Sequence, residues 1–327
     1  MSGDKSTTFL EIITNASAVT ITAAVIIMFA DFYRRSLRDI PVSYRISVLG
    51  LPRSGKTALV SAMFGELFAT RIGGHFKPAG AETINRVNRY IALLDTGRSI
   101  PPTTEKDVFL FRFLYHVRRL LPLGRVRYEG EVVDFPGELS EKLLESASDG
   151  SLADDLGIFH REFYSWIVSS RVIVFVIDLG AYLSSEDRPS YVASLSSEIR
   201  AAWQLLQEEM SQSIRLERRR VAIVFTKLDV VRVYAAGIHN SEHFVEAVIK
   251  TAYDRPFGPD DHLPEDLGPA VAEVKQNAIA DFQTLISYFE AQGSTFGHFF
   301  VSAYARVGGH RVGIPELLRF ILPNRTM

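Results

Sequence analysis

The chain has 327 residues and not one cysteine. That excludes disulfides, thiolate metal sites and thiol nucleophiles together, and it fits a reducing compartment. A surplus of either charge is missing as well: 36 Lys and Arg against 38 Asp and Glu leave a formal net charge of −2. A protein built to coat nucleic acid needs a basic excess, so none is expected as a partner. Basic residues do cluster locally, at Arg34, Arg35 and Arg38, at Arg118, Arg119, Arg125 and Arg127, and at Arg215, Arg218, Arg219 and Arg220. These are read as solvated faces or membrane-proximal charge. Internal repeats and low-complexity tracts are absent too, and at 47% hydrophobic residues the chain can bury a sizeable core. No Ser–His–Asp arrangement and no glycosidase-like carboxylate pair stands out. His239 and His243 have the i, i+4 spacing of metal ligands but no third ligand nearby, so a surface helix is the plainer reading.

Long apolar runs are scarce, with one exception. Ile12 to Ala30 are 19 residues without a formal charge. At ~1.5 Å per residue a helix of that length spans about 28 Å, close to the ~30 Å hydrocarbon core of a bilayer. Thr14, Asn15, Ser17, Thr20 and Thr22 dilute it. Asp4, Lys5 and Glu11 precede the run, whereas Arg34, Arg35 and Arg38 follow it. The positive-inside bias therefore places everything after it in the cytoplasm. A cleaved signal peptide would carry its basic charge in front instead. Residues 1–38 are expected to form a single-pass anchor with a basic flank, and 39–327 the working domain; a buried amphipathic helix is the alternative.

The strongest pattern is Gly50-Leu51-Pro52-Arg53-Ser54-Gly55-Lys56-Thr57. It follows an apolar, strand-like run (Tyr44 to Leu49) and opens a helical pattern from Ala58 to Phe64. Strand, glycine turn, then helix is the context that makes G-x-x-x-x-G-K-[ST] a phosphate loop. Gly50 and Gly55 allow the tight fold that turns successive N–H groups inward on an anion, and the helix adds its positive dipole end. Lys56 is expected on the β- and γ-phosphates and Thr57 on Mg²⁺ through its hydroxyl.

Downstream, Ile72 to Gly80 reads as loop and Glu82 to Leu94 as a helix with one buried stripe. Asp107 to Phe113 and Arg125 to Val133 read as a hairpin-like strand pair, ended by Asp134-Phe135-Pro136-Gly137-Glu138. Phe109, Phe111 and Phe113 alternate as on one strand face and are expected in the core. Arg171 to Asp178 and Arg220 to Asp229 are continuous apolar runs, typical of central parallel strands. Ser190 to Met210 is helical. Residues 230–292 are mostly helical and longer than a simple crossover needs, so they read as an α-helical insertion, with helices over Asn240 to Tyr253 and Leu267 to Ala291. Phe296 to Ala303 is the last strand, and Gly313 to Ile321 a closing helix with Pro315 in its first turn. The fold class is α/β, a doubly wound, mostly parallel sheet.

In this order the motifs resemble the P-loop GTPases of the Ras-like class, from about Tyr44 to Ile321. The resemblance implies that Pro102-Thr103-Thr104-Glu105 is the first switch, with Thr103 (or Thr104) on Mg²⁺ and the γ-phosphate. It makes Asp134 to Gly137 the second switch, with Asp134 on Mg²⁺ through water and the Gly137 N–H on the γ-phosphate. It implies that Thr226-Lys227-Leu228-Asp229 reads the base. Asp229 can accept from both N1–H and the 2-amino group of guanine, an edge adenine lacks, while Lys227 lays its stem along the ring. Ser302-Ala303 would meet guanine O6 through a backbone N–H. Gly50, Arg53, Ser54, Gly55, Lys56, Thr57 and Ala58 complete the nucleotide set.

Two residues depart from the Ras-like pattern. Glu138 stands where a water-orienting Gln is usual, which implies slow intrinsic hydrolysis. Arg53 stands where guanylate-binding proteins and atlastins carry an internal arginine finger. In wording, Gly50 to Ala58, Asp134 to Glu138 and Thr226 to Asp229 are most similar to the bacterial YcjX-like GTPases. The resemblance implies GTP/GDP and Mg²⁺ as ligands, GTP hydrolysis with Lys56, Thr103, Glu138 and Arg53 as the catalytic set, and a protein effector or a homodimer as partner. The alternative is a membrane docking module that holds GTP without hydrolysing it.

Overall fold

A strand with apolar side chains on both faces needs cover from two sides, and three such runs lie side by side in this chain. The computed structural model describes residues 27–28, 42–69, 75–101, 109–118, 125–134, 140–141, 165–210, 219–231 and 268–322. In chain order the elements are β1 (Val42–Gly50), α1 (Lys56–Ala69), β2 (His75–Ala79), α2 (Ala81–Asp95), β3 (Phe109–Arg118) and β4 (Arg125–Asp134). They continue with β5 (Val172–Asp178), α3 (Leu179–Ser184), α4 (Arg188–Met210), β6 (Arg220–Thr226), α5 (Gly268–Asp281) and α6 (Gln283–Ala291). β7 (Thr295–Phe300), the two-residue strands β8 (Arg306–Val307) and β9 (His310–Arg311), and α7 (Ile314–Ile321) close the chain.

The described strands form a seven-stranded sheet in the order β2-β3-β4-β1-β5-β6-β7. From β4 to β7 every neighbour is parallel; β2–β3 and β3–β4 are antiparallel. β6 is buried throughout and β5 up to Asp178, which is why both runs are apolar without alternation. One face packs Phe111, Phe113 and Val132 against Leu59, Met63 and Phe64 of α1, Val87 and Leu94 of α2, and Leu317 and Ile321 of α7. The other packs Ile173, Phe175 and Phe225 against Trp203 of α4 and Phe282 and Phe289 of α5–α6. Helices on both faces make the sheet doubly wound, as the strand–helix alternation implied.

Three features differ from the sequence reading. The stretch read as loop from Ile72 contains β2, an edge strand paired with β3. Its Pro78 and exposed Lys77 hide the strand signal, and an edge position is where proline is tolerated. Phe76 anchors it, its ring 5.4 Å from that of Phe64 and 5.2 Å from that of Phe113. The second difference is that α5 and α6, inside the stretch read as an insertion, lie on the sheet with buried Val274, Phe282 and Phe289. They form part of the crossover from β6 to β7; Asn240 to Tyr253 lies outside the described residues. The third is the β8–β9 hairpin, which the sequence reading did not anticipate. Of the amino-terminal apolar run only Ile27 and Met28 are described, both helical and exposed, and the rest of the expected anchor lies outside. Among the described residues no helix is long and apolar enough to cross a membrane.

The β3–β4 pair depends on one glycine. Gly130 sits directly opposite Phe113, and the ring covers it: a Cβ there would lie 2.0 Å from Phe113 Cζ. Gly130→Ala is expected to destabilise the protein by about 1–3 kcal/mol through overpacking. Phe113→Leu in the same chain should recover part of that loss, because the two changes couple. Urea titration of the single and double variants measures both; additive losses would contradict the packing.

Candidate functional site

β1 ends at Gly50 and α1 begins at Lys56, so five residues must turn the chain through a tight loop. A side chain at position 50 would place its Cβ 2.8 Å from the Val176 carbonyl and 2.9 Å from Ser54 Oγ, so only glycine fits. Gly55 has φ 86°, and Arg53 has φ 62°, a left-handed conformation that costs a non-glycine residue ~1–2 kcal/mol. Arg53 itself is exposed at the loop apex. Lys56 is buried and folds back over the loop, its Nζ donating to the carbonyls of Gly50 and Leu51 at 2.8 Å each. An ammonium held at a helix start is an anion site.

Asp134 ends β4, and in register with Val48 it comes beside the loop. It is fully buried, and burial pushes its carboxyl up to about 6; the Thr57 hydroxyl and then the Lys56 and Arg86 charges oppose that. Thr57 is near enough to act on it, yet among the described residues neither carboxylate oxygen meets a donor at hydrogen-bonding geometry, and the buried Ser54 Oγ has no partner there either. Orphaned hard oxygens beside a threonine hydroxyl fit Mg²⁺, which takes few protein ligands and completes its shell with phosphate and water. Among the described residues no group of three or more His, Asp or Glu could hold a metal ion.

The Thr226-Lys227-Leu228-Asp229 segment leaves the end of β6. Thr226 Oγ1 donates to the Ser54 carbonyl at 2.7 Å, with the Ile177 carbonyl at 3.2 Å, so the strand end is bonded to the glycine-rich loop. Lys227 follows in a left-handed conformation (φ 59°). Its Nζ donates to Asp178 Oδ2 at 2.5 Å, and Asp178 Oδ1 accepts the Gly180 and Ala181 N–H groups that start α3. Asp178 was not singled out from the sequence, where it only ends a strand; it holds Lys227 in place. A Cβ on Gly180 would press on that carboxylate, 3.1 Å from Asp178 Oδ1.

Asp229 is buried, and burial raises its carboxyl pKa against the Ser302 hydroxyl, which lowers it. Ser302 Oγ donates to Asp229 Oδ1 at 2.6 Å and accepts the Tyr304 and Ala305 N–H groups, which aims its proton at the carboxylate. The Ser302 N–H donates to the Val312 carbonyl at 3.0 Å. Both the N–H and the hydroxyl of Ser302 are therefore engaged within the protein.

Behind Ala303 stands a polar hub that no local pattern marks. The buried Arg311 donates to the Ala303 carbonyl and to Asp95 at the end of α2, while its own N–H donates to Glu66 of α1 at 3.2 Å. Arg306 also reaches Asp95, at 2.5 Å, and His310 pairs with Glu66. The one local signal is Gly308-Gly309, both at positive φ, which turns the hairpin that carries Arg311. Thr103, Thr104, Gly137, Glu138, His239 and His243 lie outside the described residues.

A sheet in this order, with a glycine-rich Lys-Thr loop after β1, a buried acid at the end of β4 and a Thr-Lys-x-Asp segment after β6, fits a P-loop GTPase domain. The chain belongs to the Double-GTPase 2 family, whose model matches residues 44–261, more than half its length. No curated protein matches it.

Because the folded pKa of Asp134 lies above the ordinary 3.8, the folded chain holds a proton that the unfolded chain has released between about pH 4 and 6. Stability is lost as pH rises through that window, by an amount on the order of 2–3 kcal/mol once the group is charged. Asp134→Asn should therefore raise the Tm of the nucleotide-free protein at pH 7.5 and flatten its pH dependence, while abolishing the extra stability that Mg²⁺ with nucleotide confers. Melts between pH 5 and 8 measure this; a variant less stable at pH 7.5 would contradict the assignment.

Proposed function

We propose that this protein binds GTP and GDP with Mg²⁺ and hydrolyses GTP slowly, as a switch. Lys56 and the loop from Gly50 to Ala58 take the phosphates, Thr57 and Asp134 the metal, and Asp229, Lys227 and Ala303 the base. Bound Mg²⁺ would supply charge neutralisation between the β- and γ-phosphates. Thr103, Gly137 and Glu138 are proposed as the γ-phosphate-sensing and water-facing residues, and Arg53 as a cation at the phosphate side of the loop. A finer kinship with the YcjX-like GTPases rests on the three shared motifs. The apolar run from Ile12 to Ala30 and the arginines behind it support a domain held at the cytoplasmic face of a membrane, where a protein effector, an activator or a second copy would respond to the bound nucleotide.

The observation that carries this reading is the Asp229–Ser302 bond of 2.6 Å at the ends of neighbouring strands. A buried carboxylate with one oxygen fixed by a hydroxyl has little use in the core, but it matches the paired N–H edge of guanine. Glu138 keeps one other reading in view, a GTP-holding docking module without turnover, since a carboxylate beside the γ-phosphate adds like charge.

Xanthine carries a carbonyl where guanine carries the 2-amino group, so the Asp229→Asn amide would face the wrong edge of guanine and a better edge of xanthine. The full chain is expected to prefer GTP and GDP over ATP, and Asp229→Asn to lose about 100-fold or more in GTP affinity while gaining XTP binding. Competition titration with labelled nucleotides, followed by phosphate release, reads both. Tight binding with no release in any condition would favour the docking module. Equal affinity for ATP and GTP would overturn the base assignment.

A further inference from the structure

The phosphate end of the site has a neighbour that none of the motifs includes. Arg86 lies on α2, beyond Asp134 as seen from the base-reading strands, on the side of the sheet order where β3 and β2 follow β4. Its guanidinium carbon stands 3.1 Å from the centroid of the Phe109 ring. Phe109 is the first residue of β3 and lies directly opposite Asp134 in the ladder. Side chains directly opposite each other share a sheet face, and this is the face that Phe111, Val132 and α1 share. Arg86 and Thr57 therefore approach the Asp134 carboxylate from the same side of the sheet.

The guanidinium is poorly used by the fold. Nη2 makes only a 3.4 Å contact with Glu82, an exposed side chain one turn earlier on the same helix. Nη1 is buried and has no hydrogen-bond partner among the described residues. Desolvated N–H groups without an acceptor are costly, and a cation stacked on an aromatic ring beside a metal-binding carboxylate is a specific arrangement. A planar fork of charged donors suits the oxygens of a phosphate. The Arg86 charge also acts on Asp134, opposing the effect of its burial.

We propose that Arg86 is a catalytic residue for the bound triphosphate, contacting the γ-phosphate end from outside the glycine-rich loop. This rests on the GTP-binding reading above. In hydrolysis the water oxygen bonds to the γ-phosphorus as the bond to the β–γ bridging oxygen breaks. GDP leaves with the electron pair, and the water proton goes to the released phosphate. Negative charge grows on the bridging and γ-oxygens during that step, and a guanidinium held by Phe109 stabilises it.

The test uses the full chain with Arg86→Gln, Arg86→Lys and Glu82→Gln, labelled GDP, a non-hydrolysable GTP analogue, and single-turnover phosphate release. Arg86→Gln should keep GDP affinity within about 2-fold of native and lose about 10-fold or more in the analogue-to-GDP affinity ratio, in the single-turnover rate, or in both. Arg86→Lys should recover only part, since it keeps the charge without the fork. Glu82→Gln, which removes the weak helix contact, should leave the rate and the ratio at native values or above. If Arg86→Gln does not fold, Arg86→Lys reads the same ratio. An unchanged ratio and rate would overturn the proposal, as would equal losses for GDP and the analogue, which mark a structural role. A native chain that binds neither nucleotide overturns the GTP-binding reading itself, a result the variants are not needed to recognise.

Discussion

The hydroxyl of Thr226 gives its proton to the carbonyl of Ser54, across 2.7 Å and 172 positions of sequence. That bond joins the end of β6 to the loop after β1, with β5 between them in the sheet. It sets the spacing between the place for a base and the place for phosphates. A β-branched side chain suits the task, because its χ1 choices are few. The contact with the Ile177 carbonyl adds a point on the intervening strand. Once Thr226 is fixed, the left-handed Lys227 turns the chain so that Asp229 faces Ser302 at the end of β7. The loop after β1 and the segment after β6 are thus bonded directly to each other.

Charge is distributed along this unit with its work half done. Lys56 rests on backbone carbonyls, and among the described residues the buried Asp134 carboxylate and Ser54 Oγ have no hydrogen-bond partner. The other end is the reverse: Asp178 is paired with Lys227, and Asp229 with Ser302. The phosphate end therefore has the more to gain from occupancy, and a ligand there that binds only the folded chain shifts the folding equilibrium toward it. Arg311 extends the engaged region backward, tying the Ala303 carbonyl to α1 and α2 through Glu66 and Asp95.

The sequence made the central sheet legible because its signals are local. Apolar runs at 171–178 and 220–229, a glycine loop between strand and helix, and a strand ending in Asp134 each declare themselves within about ten residues. Thr226, Lys227, Asp229 and Ser302 were singled out because their segments resemble those of the P-loop GTPases. What escaped was set by distant partners. β2 is a strand because β3 runs beside it and Phe64 and Phe113 hold Phe76, not because of its own composition. Arg86 reads as an ordinary polar helix position until Phe109 and Asp134 are placed next to it. Arg311 meets Asp95 and Glu66 more than 200 residues away, and no period in the chain encodes that. The α5–α6 crossover was misread for a related reason: helical periodicity shows which face is buried, but not what buries it.

Arg53 and Lys227 are the two non-glycine residues with positive φ among those described, and each stands in a loop assigned to nucleotide. Glycine would relieve either backbone, but the two are not equally free to change. Lys227 is ion-paired with the largely buried Asp178, so its loss would strand a carboxylate, whereas Arg53 is exposed. Variants selected only for expression or heat resistance should therefore collect changes at Arg53 and spare Lys227.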